Sequence, residues 1–153
     1  MIFACTALIL IIVILIKYIY YQSSLIKRAI FYHQKNLRYF MFMVRWFTSK
    51  QYGNDIGSIL VEKGYKTAAI YGMNYVGECL LRELMDSKVE VKYVIDRVVT
   101  KAEGGIKVCS PMDDLADVDV VLVTAIMSYD EVNASLKERL DSVILSIEDV
   151  IRD

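Results

Sequence analysis

The pattern of apolar and polar residues divides the chain into three stretches. Residues 1–16 carry no charge, and apolar residues continue past Lys17 as far as Tyr21. About 20 helical residues cover the roughly 30 Å of hydrocarbon in a bilayer. Residues 1–22 are therefore predicted to form a transmembrane helix, followed by a basic and aromatic helix over residues 23–50 and an α/β domain over residues 51–153.

The distribution of charge predicts the orientation of the transmembrane helix. Residues 1–54 contain seven Lys or Arg and no acid, whereas residues 55–153 contain eleven basic residues and nineteen acids. Because basic flanks stay on the cytoplasmic side, we expect a single-pass cell-membrane protein with its C-terminal domain in the cytoplasm. A cleaved signal peptide fits less well, since no basic segment precedes the apolar run and no small-x-small site precedes Lys17.

The juxtamembrane stretch, residues 23–50, is predicted to be amphipathic. On a helix the basic residues between Ser24 and Phe47 fall within an arc of roughly 100°, and the rest of the surface is mostly apolar. Such a helix suits the membrane interface or a partner helix, and the alternative is a solvated face on a helix that packs against the C-terminal domain. Binding of nucleic acid is not expected beside a spanning helix. The basic residues within this arc are Lys27, Arg28, Lys35, Arg38 and Arg45.

From residue 51 onward, short β-rich runs alternate with helical patterns, which indicates an α/β domain with a parallel sheet. Right-handed crossovers give the strand order 3-2-1-4-5, a Rossmann-like fold. The predicted helices are a short one that begins after an N-cap at Asn54 or Asp55 and ends at Gly64, then Tyr75–Asp86, a turn at Pro111–Leu115, Tyr129–Leu140 and Ile147–Ile151. The predicted strands are Thr67–Tyr71, Val89–Ile95, Ile106–Cys109, Val118–Ala125 and Val143–Leu145.

The turn after the first predicted strand carries the candidate ligand chemistry. It reads G-x-N-x-x-G from Gly72 to Gly77, one substitution from the dinucleotide fingerprint, and Asp96 follows Gly72 by 24 residues. In that fingerprint the turn and the following helix N-terminus bind pyrophosphate, and the carboxylate binds ribose. Asn74 occupies the second-glycine position, where its side chain stands in the path of a phosphate. The sequence therefore predicts a nucleotide site.

The predicted cofactor is NAD(P) or a nucleotide-sugar. Ordinary turn geometry for the two glycines, and an ordinary strand-ending carboxylate for Asp96, are the alternative explanations. The predicted contacts are Gly72, Met73, Asn74, Tyr75, Val76, Gly77, Asp96, Arg97 and Thr124.

No catalytic residues and no metal site are predicted. The chain contains no Tyr-x-x-x-Lys pair, its single histidine, His33, lies in the juxtamembrane stretch, and its three cysteines are far apart. A nucleophile with a nearby base is the minimum for covalent catalysis. Whether the protein is an enzyme is left open at this level.

Three segments of the C-terminal domain carry a family resemblance. The segments IYGMNYVGECLLRELMDSKVEVKYVID, VDVVLVTAI and SVILSIEDVI resemble the Rossmann-type domains associated with bacterial cell-surface polysaccharide biosynthesis enzymes. The resemblance covers about residues 48–151. Those domains usually read G-M-G or G-A-G where this chain has Gly72-Met73-Asn74.

The resemblance implies a membrane-tethered domain that binds NAD or a nucleotide-sugar beside a glycosyltransferase or another polysaccharide-assembly protein. On that basis Gly72, Gly77 and Asp96 are the expected ligand contacts. Two alternatives stay open: an NAD(P)-dependent sugar oxidoreductase or epimerase completed by homo-oligomerisation, and an interaction module with a vestigial pocket.

Overall fold

The protein is described by a computed structural model of residues 2–151, with side chains from residue 8 onward. The chain divides into two compact units, Met1–Met41 and Phe42–Asp153.

One long helix, α1 (Ile2–Gln51), makes up the first unit and continues into the second. The most apolar part of α1 has a mean hydropathy of 1.9 and is not buried. By length and composition α1 could therefore cross a membrane, although a signal sequence near an N-terminus has the same two features. The two predicted N-terminal stretches form one unbroken helix, because residues 2–51 contain neither Gly nor Pro to interrupt it.

The second unit contains a five-stranded parallel sheet, as the sequence predicts. The strand order is β3-β2-β1-β4-β5. The central strands are apolar and fully buried in their middles, which is typical of a parallel sheet covered by helices on both faces. The strands are β1 (Thr67–Tyr71), β2 (Glu90–Ile95), β3 (Lys107–Cys109), β4 (Val120–Val123) and β5 (Val143–Ser146).

Four further helices surround the sheet, and three of them have side-chain caps. The Asp55 carboxylate caps the helix that begins at Ile56 by accepting from the Ser58 N–H at 2.8 Å. The Ser146 hydroxyl caps the helix that begins at Ile147. These polar N-caps satisfy N–H groups that have no partner within a helix. The helices are α2 (Ile56–Glu62), α3 (Tyr75–Met85), α4 (Tyr129–Lys137) and α5 (Ile147–Val150).

The last turns of α1 belong to the core of the second unit. Phe42 and Trp46 are 1% and 4% exposed. The Glu83 carboxylate, on α3, accepts from Trp46 Nε1 at 3.2 Å, Lys50 Nζ at 2.7 Å and the Ile56 N–H at 2.7 Å. Glu83 therefore fastens the end of α1 and the start of α2 to the helix that follows the glycine turn. For this part of the juxtamembrane stretch, packing against the C-terminal domain is the correct interpretation.

The predicted helical turn at Pro111–Leu115 is wrong. Residues 110–113 form a hydrogen-bonded turn instead, in which the Asp113 N–H donates to the Ser110 carbonyl oxygen at 3.0 Å and the Ser110 N–H donates to Asp113 Oδ2 at 2.7 Å. The Arg139 guanidinium donates to the carbonyl oxygens of Pro111 and Asp113. A side chain from 26 or more residues away thus occupies carbonyls that a helix would use for its own hydrogen bonds.

Several element boundaries also differ from the prediction, by one to three residues. The fourth strand begins at Val120 rather than Val118, because the Val118 N–H donates to the Ser142 hydroxyl at 2.9 Å rather than to a neighbouring strand. Helix α4 ends at Lys137 rather than Leu140, yet Leu140 is still buried in the core.

Candidate functional site

A cleft of about 370 Å³ opens at the carboxyl edge of the sheet. Strand β1 lies between β2 and β4, so the chain leaves β1 toward one side of the sheet for β2 and β3, and reaches β4 and β5 on the other. This is the topological switch point, the place where open α/β sheets bind ligands. The cleft is lined by Tyr71, Gly72, Asn74, Ile95, Asp96, Arg97, Pro111, Met112, Ala125, Ser128, Glu131, Val132, Ser135 and Leu136.

The structure brings four of the nine predicted contacts to the cleft, namely Gly72, Asn74, Asp96 and Arg97. The other five do not line it. Val76, Gly77 and Thr124 are buried in the packing behind the turn, Met73 is 7% exposed, and the Tyr75 side chain is 87% exposed to solvent.

The glycine turn is held by close contacts that only glycine permits. Gly72 has φ +95°, and a Cβ built there would lie 2.9 Å from Thr124 Oγ1. A Cβ on Gly77 would lie 2.1 Å from the Gly72 carbonyl oxygen. Thr124 Oγ1 is also 2.5 Å from the Gly72 carbonyl oxygen, to which it donates. Both glycines therefore serve the tight turn and the close approach of α3 to β1, the two roles that the fingerprint assigns to its first and third glycines.

Asn74 is the N-cap of α3. Its Oδ1 accepts from the Val76 N–H at 2.9 Å and from the Gly77 N–H at 3.1 Å, and its backbone is extended, with φ −77°. These are two of the N–H groups that a helix N-terminus otherwise offers to an anion. The Asn74 amide thus already occupies the anion position, and a phosphate could take it only after the side chain rotates away. Asn74 is exposed, so solvent leaves room for that rotation.

Asp96 ties the glycine turn to the loop that follows β2. Its Oδ2 accepts from the Met73 N–H at 2.7 Å, and its Oδ1 from the N–H groups of Val98 and Val99 at 2.8 and 3.0 Å. Partial burial by itself would raise the pKa of Asp96, but the hydrogen bonds from these N–H groups outweigh it and hold the pKa below its ordinary value. The carboxylate is ionised at neutral pH, and it faces the cleft beside Arg97.

The lowered pKa makes Asp96 a source of pH-dependent stability. A carboxylate whose folded pKa is depressed stabilises the fold above its unfolded pKa of about 3.9, and this contribution is lost as the pH falls through the folded pKa. We expect Asp96→Asn to reduce the free energy of unfolding by about 2 kcal/mol at pH 7. Urea denaturation of both proteins should show this difference shrinking below about pH 4.

Asp114→Asn is the matched control for this prediction, because Asp114 is exposed. That variant should unfold like the unmodified chain at both pH values. Equal stabilities of Asp96→Asn and Asp114→Asn at pH 7 would contradict the structural role of the Asp96 carboxylate.

One wall of the cleft comes from α4 and the segment before it, which the sequence did not single out as part of a site. The residues concerned follow helical spacing, so one face of α4 is turned to the cleft. Glu131 adds a second carboxylate to the lining and Ser135 a hydroxyl. The sequence does show these residues at the spacing of one helix face, but a helix face that packs into the core has the same spacing. These residues are Ser128, Glu131, Val132, Ser135 and Leu136.

The lining suits a small polar ligand with hydroxyl groups and an anionic end. Asp96 and Glu131 offer acceptors for hydroxyls, and Arg97 offers a cation. Among the residues that the structure describes, no three His, Cys, Asp or Glu side chains are grouped as a metal would require. The cleft thus has the means to bind and orient a ligand.

Comparisons with protein-family models, with curated proteins and with solved structures find no match to this chain. The fold and the geometry of the cleft are therefore the observations from which a function can be argued.

Proposed function

We propose that this protein is a membrane-tethered Rossmann-like domain that binds a nucleotide, NAD(P) or a nucleotide-sugar, in the cleft at the carboxyl edge of its sheet. The observation that carries the proposal is the position of that cleft, at the switch point and with residues of the glycine turn and Asp96 in its lining. In this role the domain serves a glycosyltransferase or another enzyme of bacterial surface polysaccharide assembly, and it has no complete active site of its own.

The proposed binding mode uses the cleft residues in distinct roles. A ribose hydroxyl donates to Asp96 Oδ2, which accepts the Met73 N–H and has a second lone pair, whereas Oδ1 already accepts two N–H groups. The phosphate lies at the N-terminus of α3 once Asn74 has rotated away, and Arg97 neutralises its charge. The base or sugar lies against the α4 wall of the cleft.

A ligand-dependent shift of the melting temperature tests the proposal. The full chain in detergent is heated with NAD, NADP and a panel of nucleotide-sugars. A ligand at ten times its Kd adds about 1.4 kcal/mol to stability, which should raise the Tm by several degrees. Ser135→Trp fills the cleft from an exposed position on α4 and should abolish the shift.

Ala134→Trp is the matched control, because Ala134 is the neighbouring exposed residue on the same helix and does not line the cleft. It should retain the shift. Equal shifts in the two Trp variants would place binding outside the cleft, and the absence of any shift at millimolar ligand would reject the proposal.

A second candidate, an interaction module without a ligand, is favoured by one specific observation. The N–H groups of Met73, Val76 and Gly77 already have acceptors within the chain. A turn whose donors are satisfied internally is stable without a ligand. This candidate predicts that no nucleotide shifts the Tm of either the unmodified chain or the Ser135→Trp variant.

The membrane tether makes a separate prediction. The N-terminal run carries no charge and is followed by Lys17, Lys27 and Arg28. A reporter that works only in the cytoplasm should therefore be active when it is fused to the C-terminus, and a reporter that works only outside the cytoplasm should be inactive there. The full-length protein should also remain in the membrane fraction after an alkaline carbonate wash. Release of intact protein by carbonate would contradict the spanning helix.

A further inference from the structure

The long helix α1 carries a second pattern, a seven-residue repeat. Positions alternately three and four residues apart, from Ile9 to Phe47, form the a and d positions of a heptad. The a positions are Ile9, Ile16, Ser23, Ile30, Leu37 and Val44. The d positions are Ile12, Ile19, Ile26, His33, Phe40 and Phe47. We call this line of residues the heptad seam.

The heptad seam differs in composition from the rest of the helix. It contains no charged residue, and all of its members except Ser23 and His33 are Ile, Leu, Val or Phe. Every basic residue of α1 lies at another position of the repeat. A hydrophobic repeat of 3.5 residues sustained over several heptads is the signature of helices that wrap around one another.

The seam is uncovered in the single chain. Ile26, Ile30, Leu37 and Phe40 are between 51% and 63% exposed. In the second unit, Phe42 and Trp46 face the core of their own domain, whereas the seam residues there, Val44 and Phe47, are 44% and 64% exposed. The side of α1 that packs on its own domain is therefore not the seam.

We propose that the heptad seam is a self-association surface, occupied by another copy of this chain whose α1 runs parallel and in register. A 3.5-residue repeat is complementary to a second helix with the same repeat. Tethering to one membrane with one topology gives two copies the same direction. Ser23 and His33, the polar members of the seam, align with their equivalents only in that register, as single polar seam residues do in coiled coils.

The part of the heptad seam that lies outside the bilayer also favours a second copy of the chain as its partner. Beyond residue 22, the apolar seam residues from Ile26 to Phe47 lie past the proposed membrane span. A helix of 50 residues is about 75 Å long, more than twice the roughly 30 Å of hydrocarbon. Lipid tails therefore cannot cover the whole seam, and a contiguous exposed apolar line in water marks an interaction site.

Cysteine cross-linking in native membranes tests the seam directly. Residues 29–41 are changed one at a time to Cys in a full-length background with Cys5→Ser and Cys79→Ser, while Cys109 is buried and is kept. After mild oxidation, we expect disulfide-linked dimers to peak at positions 30, 33, 37 and 40 and to be lowest at 31, 32, 35 and 38. A flat profile, or peaks on the opposite face, would overturn the proposal.

Two double variants give an independent measurement in detergent. Ile26→Asn with Ile30→Asn places two amides in the seam, whereas Leu25→Asn with Tyr32→Asn places them on another exposed face of the same turns. We expect the first pair to lower the mass of the particle to that of one chain and the second to leave it unchanged. A single-chain mass for the unmodified protein, or equal loss of association in both variants, would contradict the seam.

Discussion

Gly77→Val is expected to reduce the free energy of unfolding by about 3 kcal/mol or more. A Cβ at Gly77 would lie 2.1 Å from the Gly72 carbonyl oxygen. The obstacle is a backbone atom of the turn, so no side-chain rotation relieves the overlap. Either α3 moves away from β1 or the turn changes its conformation, and both changes disturb the buried residues behind it.

Urea denaturation of the full chain measures this effect, with Cys79→Val as the control. Cys79 is exposed on the same helix, so the same side chain added there should change stability by no more than about 0.5 kcal/mol. Equal denaturation midpoints for the two variants would show that α3 does not approach β1 as described.

Two substitutions at Asn74 are expected to change nucleotide affinity in opposite directions. Asn74→Gly removes the side chain that holds the Val76 and Gly77 N–H groups and should lower the Kd about tenfold, equivalent to about 1.4 kcal/mol. Asn74→Asp keeps an acceptor on the same N–H groups and adds a negative charge where the phosphate would lie. Repulsion between like charges at that distance should raise the Kd by about tenfold or more.

The same two substitutions should affect the stability of the ligand-free protein with the reverse signs. Asn74→Gly replaces a good N-cap by a weaker one and frees the unfolded backbone, which costs about 0.3 to 1 kcal/mol. Asn74→Asp places a carboxylate at the positive end of the helix dipole and should leave stability equal or slightly higher. A simple loss of structure cannot produce this crossed pattern, because it would lower stability and affinity together.

The fold could be predicted from the sequence because its signals are local. The apolar runs that became β1 and β4 are short and β-rich, and the order of the sheet follows from right-handed crossovers between them. The spacing of Gly72 and Gly77 predicts a tight turn. These features depend on neighbours along the chain.

The parts that could not be predicted depend on partners distant in the sequence. Asp96 is predicted from the sequence as a ligand carboxylate, but the sequence did not indicate that its Oδ2 also accepts from the Met73 N–H, 23 residues earlier. Residues Pro111–Leu115 are predicted to form a helical turn, yet the Arg139 guanidinium donates to the carbonyl oxygens of Pro111 and Asp113. No local pattern distinguishes these outcomes, because each is decided by which groups the folded chain brings together.

The role of Asn74 could be predicted from the sequence only in part. Its substitution for glycine was visible in the sequence, and so was the conflict with a phosphate. What the sequence did not indicate is that the residue keeps a negative φ and acts as the N-cap of α3. Asn is among the best N-cap residues, so the signal existed, but the resemblance to a glycine-rich fingerprint favoured a different interpretation.

The most direct test of the proposed nucleotide site is titration calorimetry on three proteins: the unmodified chain, Asn74→Gly and Asn74→Asp. Each is titrated with the nucleotide that gives the largest thermal shift, or with NAD if none does. The proposed site predicts tighter binding in Asn74→Gly and weaker or undetectable binding in Asn74→Asp, each relative to the unmodified chain. Equal affinities in all three, or no heat from any of them at millimolar nucleotide, would contradict it.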